Sequence, residues 1–474
     1  MKFLKKLALF TALSFSCQAP ANLQTAIDNM INPYGSSSHI GMVIRQANSG
    51  QIVYSRLPNF LFPPASIQKV LTATAALAFL GPNFTYKTKL WIDGPIIGNI
   101  LHGDVTIQFS GDPELTAADL QQLIFELKAR GVQQILGNIR LDTSIYDNVP
   151  YPPGWLWDDL SYSYAAPLYS IIINKNKFGI RLTPQAIGQR PLISTSVPSS
   201  IFHFSNMVTT TDKYNPFCPL TIYSDVGNHY ILSGCMYKGA GAQSRTLALR
   251  DPLPYAKALI RSALTRANIY FNGRVDVEKV GPHDTFVTEH TSVPLNLMLR
   301  TMLKRSDNLI TNSLLKQIGY QYFHQQGSWT EGLLALQNIL AKPTGLNFKY
   351  NLINDGAGLS RYNLITPYQM SAVLEYIFKT PNLRDVIIPA LPIAGNDGTL
   401  ARRMSSEAKE KRIRAKTGSI TGVSTLAGYV YTRHMGVLTF VIMVNGFVGK
   451  RSPYIILEDR ICEFLARYQG DPHG

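Results

Sequence analysis

Acidic side chains, cysteines and long apolar runs are all scarce in this sequence of 474 residues. Asp and Glu number 30 against 45 Lys and Arg, which leaves a formal net charge of +15. Apart from Lys409, Lys411, Arg412, Arg414 and Lys416, the positive charges form no run, so the excess is diffuse. A diffuse excess keeps a surface soluble and turns attention to anionic partners: nucleic acid, acidic lipid headgroups or an acidic cell-wall polymer. No segment has 18 consecutive apolar residues, so no spanning helix is expected in the mature chain. With four cysteines and no C-x-x-C, a zinc site is not expected. H-E-x-x-H, G-x-x-x-x-G-K-[ST], G-x-S-x-G and a helix-opening G-x-G-x-x-G are all missing, and none of the nine histidines sits in a metal or triad motif. No cofactor or metal is expected. Hydrophobic content of 45% with 16% charged residues fits a globular protein rather than a disordered chain or a coiled coil.

The first residues follow the grammar of a secretory signal. Lys2, Lys5 and Lys6 precede the apolar stretch Leu7–Cys17, and Ala19 and Ala21 stand in an A-x-A relation before Asn22. We expect cleavage after residue 21. Lipid attachment at Cys17 ranks below it, because Ser14 stands where a lipobox usually has Leu. Export makes a disulfide the expectation for Cys218 and Cys235, which share one turn-rich segment; Cys462, in a stretch of helical spacing, reads as a buried thiol.

Along the chain, residues 39–56 alternate and break at Asn48-Ser49-Gly50, a hairpin pattern. Ser66 to Leu80 is helical and is stopped by Gly81-Pro82. Between roughly 88 and 280 short β-type runs dominate: Lys87–Ile92, Asp104–Phe109, Asn138–Leu141, Ile171–Asn174, Phe178–Leu182 and Tyr230–Leu232, with one helix over Ala117–Arg130. Helices return at Pro294–Lys304, Leu309–Tyr322 and Thr330–Ala341, and strands at Val423–Val430 and Val437–Val444 precede a last helix. A β-rich insertion in an α+β frame accounts for this order.

Three short motifs occur in sequence: Ser66-Ile67-Gln68-Lys69, Ser306-Asp307-Asn308 and Lys416-Thr417-Gly418. Each alone is weak. Together they form the S-x-x-K, S-D-N, K-T-G set of active-site-serine acyl transferases. Ser66 follows Pro63-Pro64-Ala65 at a helix start, and Lys69, three residues on, returns to the same face. There its amine can take the serine proton, provided that burial or a second cation lowers its pKa from about 10.4. Lys416 is the natural second cation and an anchor for a substrate carboxylate. The helix-start N–H and the N–H of Ser419 are the expected oxyanion donors. Ser306 can relay a proton to the leaving amine while Asn308 holds the peptide amide; Asp307 between them is expected to point away and brace the turn.

At these residues the chain resembles the class C low-molecular-mass penicillin-binding proteins, the D-Ala-D-Ala carboxypeptidase/endopeptidases. Pro64-Ala65-Ser66, Gly111-Asp112-Pro113, Asp355-Gly356-Ala357-Gly358-Leu359-Ser360-Arg361, Gly395-Asn396-Asp397-Gly398-Thr399-Leu400 and Ala427-Gly428-Tyr429 carry the resemblance further. Ser306 stands 240 residues after Ser66, a span in which the family carries two extra domains; class A β-lactamases reach their second motif much sooner. The resemblance implies an α+β transpeptidase-like domain, an antiparallel sheet with helices, carrying a long β-rich insertion of two small domains. The expected division is 1–21 signal peptide, 22–87 with 285–474 catalytic domain, 88–180 with 251–284 first insertion domain, and 181–250 second. It also implies peptidoglycan stem peptides as substrate, β-lactams as inhibitors, a soluble or weakly membrane-associated periplasmic enzyme, and an acidic residue from the insertion that meets the substrate side chain. Asp159, in Gly154-Trp155-Leu156-Trp157-Asp158-Asp159, is the candidate. The expected site is therefore Ser66, Lys69, Ser306, Asn308 and Lys416 as reacting groups, with Thr417, Gly418, Ser419 and Asp159 binding substrate. Peripheral contact with a membrane or an anionic wall polymer fits the charge; nucleic acid is not expected. The alternatives are a β-lactamase and a catalytically vestigial wall-binding protein.

Overall fold

The computed structural model describes residues 22–469 apart from Ser36 and Ser196. The leader and Cys17 lie outside the described residues. An antiparallel five-stranded sheet forms the centre of one body, in the order Ile52–Arg56, His39–Gln46, Val437–Asn445, Val423–Tyr431, Ile413–Ile420. Its middle strands are apolar almost throughout because both faces are covered. Side chains alternate across a strand. Thus Ala427, Tyr429, Val441 and Met443 join a core built with the helices Lys69–Leu80, Leu295–Arg305, Asn308–Phe323 and Pro367–Lys379. Leu426, Phe440 and Ile442 meet the terminal helices Leu23–Ile31 and Ser452–Arg467 on the other side. Cys462 is buried there as a free thiol, and burial pushes its pKa up.

A separate apolar cluster draws all its buried members from residues between Leu90 and Val287. Its largest sheet has the order Val275–Val277, Ile139–Asp142, Asp104–Gln108, Lys87–Asp93, Thr285–Thr291. The helices Ala117–Ala129 and Leu253–Arg266 pack on each other beside it. The second of these adds a helix to a stretch for which the sequence reading named no element: Pro252 caps its start, and its apolar positions are spaced for one buried face at Tyr255, Ala256, Ile260, Ala263 and Leu264. Three smaller sheets follow within Lys177–Ala248. Cys218 and Cys235 are disulfide-bonded, pinning the loop between them.

The segment Ile171–Asn174 is not a strand. The chain enters a left-handed turn in which Asn174, Lys175 and Asn176 have φ of 51°, 61° and 48°. The side chain of Asn176 replaces ladder bonds, accepting from the Ile173 N–H at 3.1 Å and donating to Ile171 O at 3.0 Å. An apolar run alone does not distinguish a strand from a buried segment satisfied in this way.

Candidate active site

Pro63 and Pro64 lead into a single 3₁₀ turn, Ala65–Gln68, that continues as the helix Lys69–Leu80. Ala65 is held at φ 48°, an unfavourable value for a residue with a Cβ, and Ser66 follows it. The strain is sustained from two sides. Gly418 lies so close that an added Cβ would fall 2.9 Å from both Pro64 O and Ser66 N, and one on Gly358 (φ 81°) would clash with Ala65 O. Thr425 Oγ1 donates to Pro64 O at 2.8 Å. Only glycine lets these two segments press on the serine's backbone.

Lys69 is fully buried, with its Nζ 2.8 Å from Ser66 Oγ and 2.7 Å from Ala357 O. Neither acceptor is charged. Burial lowers the amine's pKa to about 7 against opposing pulls from Asp355 and Asp307. A neutral amine can donate to Ala357 O while its lone pair faces the serine hydroxyl. The loop that supplies Ala357 O is fixed by Asp355. This carboxylate accepts from the N–H groups of Gly358, Leu359 and Ser360, from Asn363 Nδ2 and from Trp155 Nε1.

Ser306 caps the C-terminus of Leu295–Arg305 in the left-handed conformation, and Asp307 caps the N-terminus of Asn308–Phe323 by accepting from Ile310 N. The motif thus forms the corner between two helices. Asp307 is turned out of the cleft onto Lys175, as expected of a bracing residue. Asn308 Nδ2 donates to Tyr164 O at 2.8 Å.

Lys416 is fully buried on the edge strand Ile413–Ile420 and donates to Ser306 Oγ at 2.9 Å and Thr417 O at 2.7 Å. Burial first, and then the positive charge of Lys69, push its pKa well down. A bound carboxylate would reverse that and restore its charge. Along this edge Ala415 N–H donates outward to Pro392 O. The two-residue alternation therefore turns the N–H groups of Thr417 and Ser419 outward as well, away from the neighbouring strand Val423–Tyr431. Thr417 Oγ1 donates to Thr399 Oγ1.

Ser66, Ser306, Asn308, Ser419 and Asp159 line one cleft of 330 Å³ with Tyr164, Gly358, Leu359, Arg361, Ile420 and Thr421. The three motifs converge here: Lys416 bonds Ser306, and Gly418 lies against the backbone at Ser66. Asp159 accepts from Tyr164 OH at 2.6 Å. Arg361 is anchored by donating to Thr421 O. Sequence reading had given no role to Arg361, Tyr164 or Thr399. Arg361 and Thr399 stood inside quoted runs, whereas nothing local marks Tyr164. Among the described residues no group of His, Cys, Asp and Glu could hold a metal.

Such a buried amine on a helix-start hydroxyl, with a second lysine and outward strand N–H groups beside it, can form and resolve an acyl-enzyme. Comparison with known proteins agrees. The D-alanyl-D-alanine carboxypeptidase DacB of Haemophilus influenzae is 31% identical over 468 residues, covering 96% of this chain and 97% of that one. A D-alanyl-D-alanine carboxypeptidase of an Actinomadura species is 29% identical over 91% of this chain and 81% of its own length. The crystal structure of penicillin binding protein 4 (dacB) from H. influenzae superposes with a TM-score of 0.87 at 32% identity, covering 93% of this chain and 99% of that one. The same protein complexed with a β-lactam gives a TM-score of 0.82 at 30% identity, with the same coverage of 93% and 99%. Residues 23–467 match the D-Ala-D-Ala carboxypeptidase 3 (S13) family, and the chain belongs to it.

Proposed function

We propose that this chain is a serine-type D-Ala-D-Ala carboxypeptidase and/or endopeptidase acting on peptidoglycan stem peptides, and that β-lactams acylate the same serine. The observation that carries the reading is the 2.8 Å contact between the amine of the fully buried Lys69, which is bonded to no carboxylate, and the hydroxyl of Ser66, which lines the cleft. Lys69 takes the hydroxyl proton as Ser66 Oγ attacks the carbonyl of the penultimate D-Ala. The C–O bond forms, and the N–H groups of Ser66 and Ser419 face the developing oxyanion. The peptide C–N bond then breaks as a proton passes through Ser306 to the leaving amine. Water resolves the ester by the reverse route. Lys416 with Thr417 binds the terminal carboxylate, Gly418 admits the strand, and Asn308 holds the substrate amide.

Asp159 and Arg361 set one negative and one positive group on the cleft wall, suited to a stem side chain that ends in both an amine and a carboxylate. Export to the periplasm rests on the leader's pattern and agrees with the Cys218–Cys235 bond. No helix among the described residues is long and apolar enough to cross a membrane. The net charge of +15 favours contact with an anionic lipid surface or wall polymer.

Labelled penicillin should mark one site in the purified protein and be lost in Ser66→Ala; labelling that survives the change refutes the assignment. Digestion of purified peptidoglycan, read by mass, separates release of one alanine from release of cross-links. Rapid turnover of a chromogenic cephalosporin would instead favour a β-lactamase.

A further inference from the structure

Three consecutive non-glycine residues in the left-handed region are unusual, and Asn174, Lys175 and Asn176 form such a run. The two asparagines are tied into the inserted body. Asn174 Oδ1 accepts from Ala117 N at 3.2 Å and its Nδ2 donates to Tyr255 OH at 2.8 Å. Asn176 bonds Ile171, Ile173 and Pro167 through its side chain and accepts Leu249 N–H at its carbonyl. Lys175 alone reaches across to the other body. Its Nζ donates to Asp307 Oδ2 at 2.8 Å and lies 3.4 Å from Glu114 Oε1. Strain held this firmly, for the sake of one outward side chain, marks a position with a task.

The partner shows what the task is. Asp307 spends its other oxygen on capping Ile310 N at 3.1 Å, and its own carbonyl accepts from Thr311 Oγ1. On either side of it stand Ser306 and Asn308. We propose that Lys175 is a positioning residue for the reaction at Ser66: through Asp307 it fixes the corner that presents Ser306 and Asn308 to the cleft. The same inserted body meets this corner a second time, where Tyr164 O accepts from Asn308 Nδ2.

Charge supports the geometry. Burial works to raise the Asp307 pKa; Lys175, the Ile310 N–H and Lys177 overcome it and hold the carboxylate ionised. That anion in turn pulls the Lys69 pKa up, as does Asp355. Lys175 therefore also screens the base from a carboxylate that would keep it protonated.

The inference rests on Ser66 being the acylated residue, and the test keeps the two apart. Loss of penicillin labelling in Ser66→Ala tests that reading, and rates in Lys175 variants test this one. Lys175→Met should lower the plateau acylation rate by roughly 10- to 100-fold. It should also move the acidic limb of the pH–rate profile to higher pH, and Lys175→Arg should restore both. If Lys175→Met does not keep its circular dichroism, Lys175→Gln carries the same two expectations. A wild-type rate, or a loss with an unmoved limb, or one that Arg does not rescue, overturns the proposal.

Discussion

Among the described residues two regions bury lysines completely, the cleft with Lys69 and Lys416 and a helix interior with Lys316, and they treat them in opposite ways. At the start of Lys69–Leu80, Lys69 Nζ meets a hydroxyl and a peptide carbonyl, neither charged. In the interior of Asn308–Phe323, Lys316 Nζ is bonded to the carboxylate of Asp147 and donates to Val149 O at 2.9 Å. The rings of Trp329 and Tyr146 lie over Lys316, with centroids 4.9 and 6.0 Å from Nζ. Burial lowers both pKa values, but at Lys316 the hydrogen bond and charge of Asp147 work to raise it again. An anion beside a buried amine keeps its proton; neutral acceptors release it. Desolvation alone therefore does not make a base. What matters is whether a carboxylate sits within bonding distance.

That comparison can be broken first at the base itself. Lys69→Met should reduce penicillin acylation by roughly 10³-fold, within the range of a lost general base, with the fold retained. A smaller loss would mean that another group takes the proton. Next in size is the pH profile. Because burial brings Lys69 to about 7, the reactive neutral form is lost as pH falls through that value. The acylation rate constant should rise roughly tenfold per pH unit on the acidic side and level off above the midpoint. An acidic limb centred well above that value would show that burial does not lower the amine as the structure implies.

Lys316→Met should do the reverse of Lys69→Met. It leaves Asp147 without its cation and should cost about 3 kcal/mol in denaturant unfolding, with the acylation rate of the folded protein within about twofold of wild type. A large rate loss would bring Lys316 into the chemistry. The smallest effect should come from Asp147→Asn, which turns the surroundings of Lys316 into those of Lys69. Its amine should titrate at lower pH by NMR, again without change in acylation; an unchanged titration would remove Asp147 as the cause.

The same contrast separates what was readable from what was not. Ser66, Lys69, Ser306, Asn308 and Lys416 were legible because each motif is local and its spacing carries the chemistry. The helices flanking Ser306 and the strands Val423–Tyr431 and Val437–Asn445 were legible through periodicity. Leu253–Arg266 was missed because its polar face hides a short apolar stripe in a β-rich setting. Ile171–Asn174 was misread because an apolar run carries no sign of the left-handed turn that follows. Tyr164 and Lys175 had no signature, and Arg361 stood in a quoted run with no role marked, since their positions in the fold depend on contacts from distant parts of the chain.

By itself the sequence determined the three motifs proposed to carry the reaction, their order and the local elements that bear them, because short-range spacing fixes which side chains share a helix face or a strand edge. Only the tertiary structure decided which buried lysines lack a bonded carboxylate, how Gly418 and Gly358 press on the backbone around Ser66, and that Lys175 meets the corner at Asp307. These depend on desolvation and on contacts between residues far apart in the chain, and neither is encoded at any single position.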